Sequence, residues 1–288
     1  MSEKKSGNQP ELRKPDWLKI KLPSVEAYSK IKKSLSKGSL HTICESGNCP
    51  NQGECWAAGT ATFMILGDNC TRNCKFCAVG HEKPLPPDEQ EPLKLAESVR
   101  DFKLKHVVIT SVTRDDLLDE GASHWASCVR KVREVNPEST IEILVPDFHA
   151  REDLIQIVLD SSPEIFSHNL ETVEQLTPKV RSGAQYKRSL EVLRIAASKG
   201  AKTKSGFMVG LGEEEHEIKS LMQDIFATGT KIINIGQYLQ PSRKHHSVMK
   251  YYSPQEFEEM KEWALNIGFK HVESGPLVRS SYHAQNHL

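Results

Sequence analysis

The chain has 288 residues, 38% of them hydrophobic, and its 38 Lys or Arg balance 38 Asp or Glu to a formal net charge of zero. That length fits one barrel-sized domain with terminal extensions and enough apolar sequence to bury a sizeable core. The neutral balance leaves no electrostatic footprint for nucleic acid or an anionic membrane, and no run reaches the roughly 18 apolar residues of a membrane helix.

The opening Met1-Ser-Glu-Lys-Lys has no apolar segment, so no secretory signal is expected and the thiols are placed in a reducing cytoplasm. Residues 2–38 are polar and basic and are interrupted by Pro10, Pro15 and Pro23. Such an arm suits an acidic partner or a solvated extension equally well. Trp17 is expected to tack it down, and Ser24 to cap a short helix over 24–35. Six of the seven cysteines then fall between Cys44 and Cys77, and Pro84, Pro86, Pro87 and Pro92 make a stiff linker.

Beyond the linker the pattern alternates. β-Branched runs at 61–66, 106–110, 141–145, 165–168, 203–209 and 232–238 read as strands. Helical stretches lie at 93–102, 124–135, 152–159, 186–198, 214–227 and 254–266, and a short further strand is expected near 271–273. Six strand-then-helix units imply a parallel sheet, read here as a partial, open-sided (β/α)6 barrel; a doubly wound sheet fits the same alternation. In either case polar strand ends such as Ser167-His-Asn-Leu-Glu share one catalytic rim. The expected organisation is an N-terminal extension over 1–60, the barrel over 61–270 and a C-terminal extension over 271–288.

Crowded thiols in a reducing compartment point to metal. Cys70, Cys74 and Cys77 follow the first barrel strand, and three thiolates on a [4Fe–4S] cluster leave one iron open to chelate a substrate. Zinc is the competing occupant of Cys74-x-x-Cys77, but the spacings of four, five, fourteen, three and two residues along the six cysteines do not form paired doublets. Cys44, Cys49 and Cys55 are a second triad, also one ligand short. Cys128, in mid-helix, reads as a packing residue. A non-catalytic iron–sulfur or zinc protein is the alternative from another class, and a long polar rim argues against it.

Cys70-Thr-Arg-Asn-Cys74-Lys-Phe-Cys77 resembles the signature of the radical S-adenosylmethionine superfamily. The resemblance implies that the open iron binds S-adenosylmethionine, that an electron from the cluster releases a 5′-deoxyadenosyl radical, and that Phe76 lies near the adenine. Cys44-x4-Cys49-x5-Cys55 upstream resembles the lipoyl synthase family, and so do Ile109-Thr-Ser-Val-Thr-Arg-Asp-Asp-Leu, His168-Asn-Leu-Glu-Thr, Gln237-Tyr-Leu-Gln-Pro-Ser and Arg279-Ser-Ser-Tyr, in family order. Thr113 departs from the Asp more usual there, with little consequence expected. Biotin synthase-like and methylthiotransferase-like sulfur inserters are the nearest alternatives. The first lacks an upstream triad of this spacing, and the second usually carries an appended RNA-binding domain for which this chain has no room.

That resemblance implies two [4Fe–4S] clusters, the second completed by Ser281, or its neighbour Ser280, and consumed as the sulfur source. The implied reaction inserts two sulfurs at carbons 6 and 8 of a protein-bound octanoyl-lysine. It implies as partners octanoylated carriers (lipoyl domains of 2-oxoacid dehydrogenase acyltransferases and the glycine cleavage H protein), a flavodoxin- or ferredoxin-type electron donor, and an iron–sulfur carrier. Asn169, Glu171 and Arg181 are candidate S-adenosylmethionine contacts, with Asp115 and Gln237 behind them; for Asp115 a helix cap is an equal reading. Glu213-Glu-Glu reads as a helix start, and His245, His246 and His283 as surface imidazoles.

Overall fold

The computed structural model describes residues 12–19, 41–43, 49, 51, 55, 60–282 and 284–287. The helix expected over 24–35, Cys44 and His283 lie outside them. Among the described residues, eight strands form one sheet in sequence order. β1 (His41–Thr42) is a two-residue strand antiparallel to β2 (Thr60–Ile65). β3 (His106–Ser111), β4 (Thr140–Leu144), β5 (Ile165–Ser167), β6 (Thr203–Val209), β7 (Ile232–Gln237) and β8 (His271–Gly275) follow, each parallel to the strand before it. No β8–β2 pairing occurs among the described residues, so the barrel stays open on one side.

The helices are α1 (Glu91–Asp101), α2 (Ala122–Val135), α3 (Glu152–Leu159), α4 (Thr177–Val180), α5 (Tyr186–Ser198), α6 (Glu215–Ala227) and α7 (Pro254–Ile267). Their ends follow from local chemistry. Ser253 caps α7 in a reciprocal box with Glu256, Pro254 sits in the first turn, and Gly268 ends the helix at φ 115°. Glu214 and Glu217 form the equivalent box on α6. Glu213, expected in that helix start, instead turns back and accepts from the Gly210 and Leu211 N–H groups at 2.5 and 2.9 Å.

Strand alternation divides the interior in two. Phe63, Ile65, Val107, Ile109, Ile141 and Ile143 join Trp125, Cys128 and Val129 of α2 in one apolar core between sheet and helices, and Phe207, Ile233, Leu221 and Phe257 belong to a second. The opposite, inner face carries polar groups. Lys204 of β6 reaches across β5 to Glu142 of β4 at 3.0 Å, and Ser167 donates to the same carboxylate at 3.0 Å. All three are almost fully buried, so burying each charge is offset only by its partner.

The basic arm is tied down as expected, Trp17 Nε1 donating to the Tyr252 carbonyl at 3.2 Å. At the carboxyl end of β2 the chain turns sharply, with Leu66 at φ 67°. Glu91 holds this corner by accepting from the Leu66 N–H at 2.9 Å while pairing with His124 at 2.6 Å. Cys70 lies four residues further on.

Candidate functional site

The loop of Cys70, Cys74 and Cys77 is anchored along its whole length. Cys70 N–H donates to the Gly80 carbonyl at 2.8 Å, Thr71 N–H to Thr113 at 3.1 Å, and Lys75 N–H to Val180, the last residue of α4, at 2.8 Å. His246 N–H reaches the Lys75 carbonyl at 2.8 Å, and His245 Nε2 lies 3.0 Å from the Cys77 carbonyl. His245 and His246 therefore brace the loop rather than face solvent. Thr113 acts through its backbone, donating to Cys70 Sγ at 3.3 Å; any residue but proline supplies that N–H.

The strongest anchor is Arg72, between the first two cysteines. Its guanidinium meets both oxygens of Asp115, after β3, and both oxygens of Asp147, after β4, at 2.8–2.9 Å. Arg72 is 8% exposed and Asp147 1%. Arg72 holds the Asp147 carboxyl well below the usual carboxylate range, against the burial that raises it. Asp115 is thereby committed to fixing the loop.

Burial pushes the Cys77 thiol up to about 12 and raises Cys74 as well, with neighbouring thiols adding to both.

Beside the loop, Arg181 is buried with Nη1 donating to the Leu170 carbonyl and Ser189 Oγ, each at 3.0 Å. Burial lowers its pKa, and Glu171 and Cys74 oppose the shift. Burial raises the Glu171 carboxyl, and Arg181 and Asn169 pull it back. Asn169 Nδ2 donates to Glu171 Oε1 at 3.0 Å. The structure thus brings Cys74, Glu171 and Arg181 into one electrostatic neighbourhood. Phe76 packs at the edge of the second core group. Gln237 stands apart: its Nε2 serves the Val209, Tyr238 and Lys250 carbonyls and its Oε1 accepts from Tyr252 N–H, a structural role.

His168, just before Asn169, is buried with Nδ1 on the Val145 carbonyl at 2.9 Å, and burial pushes it from 6.5 down to about 4. The unfolded chain takes up this proton near pH 6.5 and the folded chain only near pH 4. Stability from this group is therefore complete above pH 6.5 and falls as the pH drops towards 4, by about 3 kcal/mol. Urea midpoints measured across that range should show this loss, and His168→Gln should flatten it; an equal slope in the variant would reject the assignment.

A second site forms on the inner face of β2. Cys49, Cys55, Asn51, Thr60, Thr62, Arg279, Ser281 and Tyr282 line one small cavity. Thr62 Oγ1 donates to Ser281 Oγ at 2.8 Å, whereas the Ser280 hydroxyl turns the other way and accepts from Asn169 Nδ2 at 2.7 Å. The tail is held by Asn51 Nδ2 on the Leu277 carbonyl at 2.6 Å and by Asn234 Nδ2 on the Arg279 and Ser280 carbonyls at 2.9 and 3.1 Å. Arg279 is half-buried, and desolvation lowers its pKa while Cys49 opposes the shift. Sequence reasoning missed Arg72, Asp147, Asn51, Thr62 and Asn234.

Gly236 of β7 faces the tail so closely that a Cβ there would collide with the Val278 carbonyl. Gly236→Val is expected to lift residues 277–282 from the sheet, costing about 1–3 kcal/mol. Limited proteolysis of the folded variant should then cut the tail that the parent chain protects. Equal protection in both would show that Gly236 does not govern the seating of the tail.

Residues 64–225 match the radical SAM superfamily, and residues 1–49 match the N-terminal domain of lipoyl synthase of that family. A lipoyl synthase of Parabacteroides distasonis is 56% identical over 277 residues, covering 96% of this chain and 99% of that relative. One of Treponema denticola is 53% identical over 276 residues, covering 96% of this chain and 95% of the relative. Among solved structures, methylornithine synthase superposes with a TM-score of 0.56 at 13% identity, covering 74% of this chain and 70% of the other. A maturase of the [FeFe]-hydrogenase gives 0.54 at 11% identity, covering 88% and 68%. These two carry the fold alone, and both match the open parallel barrel.

Proposed function

The chain belongs to the lipoyl synthase family of the radical SAM superfamily, and on that premise we propose that its two cysteine triads hold two clusters with different tasks. It is an enzyme that makes the lipoyl group by inserting two sulfur atoms at carbons 6 and 8 of a protein-bound octanoyl chain. Those positions carry hydrogens without useful acidity, so no side-chain base can remove them and a radical is required. When bound, a reduced [4Fe–4S] cluster with S-adenosylmethionine supplies that radical, and a second [4Fe–4S] cluster supplies the sulfur.

The remaining work falls to the chain. Cys70, Cys74 and Cys77 hold the first cluster, and the N–H groups of Arg72 and Thr113, 3.4 and 3.3 Å from Cys70 Sγ, donate to one of its thiolates. Glu171 and Asn169 offer acceptors to the ammonium end of S-adenosylmethionine, Arg181 faces its carboxylate, and Phe76 flanks its adenine. Cys44, Cys49 and Cys55 hold the second cluster, which Ser281 completes. A serine oxygen is a harder and weaker partner for cluster iron than a thiolate, so Ser281 would be the weakest of the four ligands.

The single observation that carries this reading is the cavity shared by Cys49, Cys55 and Ser281, separate from the Cys70–Cys77 loop. No described helix is long and apolar enough to cross a membrane; the cytoplasm is the proposed location. Its partners on this reading are octanoylated lipoyl domains and H protein, a flavodoxin- or ferredoxin-type donor, and an iron–sulfur carrier that restores the second cluster.

Anaerobic analysis should give about eight irons and about eight sulfides per chain, two four-iron clusters. With an octanoylated carrier, S-adenosylmethionine and a reductant, the loaded enzyme should form the lipoyl group. Zinc without sulfide would end the cluster assignment. Four irons with no sulfur transfer would end the assignment of the second triad.

A further inference from the structure

Ser280 and Ser281 are neighbours whose hydroxyls serve different places. Ser281 Oγ lies in the cavity of Cys49 and Cys55, while Ser280 Oγ is bound to Asn169 at the S-adenosylmethionine rim. Between them is a single peptide unit, and Asn234 holds the carbonyls on either side of the Ser280 Cα. A pull on the Ser280 hydroxyl therefore acts on the same short segment that seats Ser281.

Asn169 is saturated on its donor side: the amide nitrogen carries two hydrogens and they go to Glu171 and Ser280. It is 6% exposed, and a Cβ at Gly206 would come within 3.1 Å of its Oδ1, so the amide fills the space that glycine leaves. It cannot turn towards a new partner without dropping one of the two. Glu171 sits at φ 66°, with its own backbone bonded to Gly206 and Met208. A cation that engages Glu171 therefore draws on the same amide that holds Ser280.

We propose that Ser280 is a positioning residue that couples occupancy of the S-adenosylmethionine site to the seating of Ser281 at the second cluster site, an inference that rests on the assignment of those two sites above. The coupling is reciprocal by thermodynamic necessity: if binding at one site reseats Ser281, loading the second site must change affinity at the first by the same factor. It links the two halves of the reaction, so that the weak serine corner is adjusted only when S-adenosylmethionine is in place.

The test compares the dissociation constant of S-adenosylmethionine in the fully loaded chain and in a Cys55→Ala chain carrying only the Cys70–Cys77 cluster. The two constants should differ by about 5-fold or more with Ser280 present. They should agree within about 2-fold in Ser280→Ala, and Ser280→Thr, which keeps the hydroxyl, should restore the difference. In parallel, adding S-adenosylmethionine should perturb the Mössbauer signature of the second cluster in the parent chain and leave it unmoved in Ser280→Ala. Equal constants in the parent, or an undiminished difference in Ser280→Ala, overturns the coupling. Absence of S-adenosylmethionine binding in every form instead takes down the proposed function, and the coupling with it.

Discussion

Arg72→Met is expected to destabilise the chain by about 3–5 kcal/mol and to empty the Cys70–Cys77 loop of iron. The guanidinium satisfies two carboxylates at once, and its loss leaves Asp147 fully buried with Arg188 as its remaining cation, at 3.5 Å. The loop also loses the contact that fixes it against the ends of β3 and β4. Two further variants separate these effects. Arg72→Met with Asp147→Leu removes the stranded charge and should recover most of the urea midpoint, yet iron at this site should stay low because the loop is still untethered. Arg72→Lys keeps the charge but cannot bind both carboxylates in paired fashion, and should fall between. Parent-like iron content and stability in Arg72→Met would remove this residue from the site's architecture.

Cys55→Ala should abolish lipoyl formation, by at least about a thousandfold, 4 kcal/mol or more of barrier, while S-adenosylmethionine is still cleaved. The two outcomes separate because the cavity of Cys49, Cys55 and Ser281 shares no thiol with the Cys70–Cys77 loop. The measurement is 5′-deoxyadenosine against lipoyl product from the same reaction. If a folded Cys55→Ala chain loses both, the triads do not have separate tasks; if it keeps both, Cys55 is not a ligand. Ser281→Ala should be milder than Cys55→Ala, since it removes the weakest corner and leaves three thiolates.

Much of this was legible in residue order. The β-branched runs placed β2 to β7, whose outer faces bury apolar side chains against the helices, whereas the half-buried His-Val-Glu-Ser-Gly of β8 was expected only as a short further strand. Pro92 was read as linker, yet it occupies the first turn of α1, where its missing N–H costs nothing. The two-residue β1 and four-residue α4 are too short to show a period. The cysteines announced themselves, since six thiols crowded into residues 44–77 need a common reason. Arg72 did not: its meaning depends on Asp115 and Asp147, 43 and 75 residues away. The available signal was an arginine between two ligands together with acids at two strand ends. Gly236 carried none, because the tail that passes over it is set by topology alone.

The two sites differ in how much chain must exist before they can form. The Cys70–Cys77 loop is tied to Arg181 and residues before it, and otherwise to residues 245 and 246. The second cavity needs Asn51 to meet Leu277, 226 residues later, and Thr62 to meet Ser281, 219 residues later. At about 5–20 residues per second, ribosomal synthesis leaves Cys49 and Cys55 without their closing wall for roughly 10–45 s. The pocket of Cys49, Cys55 and Ser281 is thus among the last parts of the enzyme to be built, and a few hydrogen bonds on the tail hold it shut. Every new molecule passes through a stage in which the radical site can take shape while the second pocket still stands open.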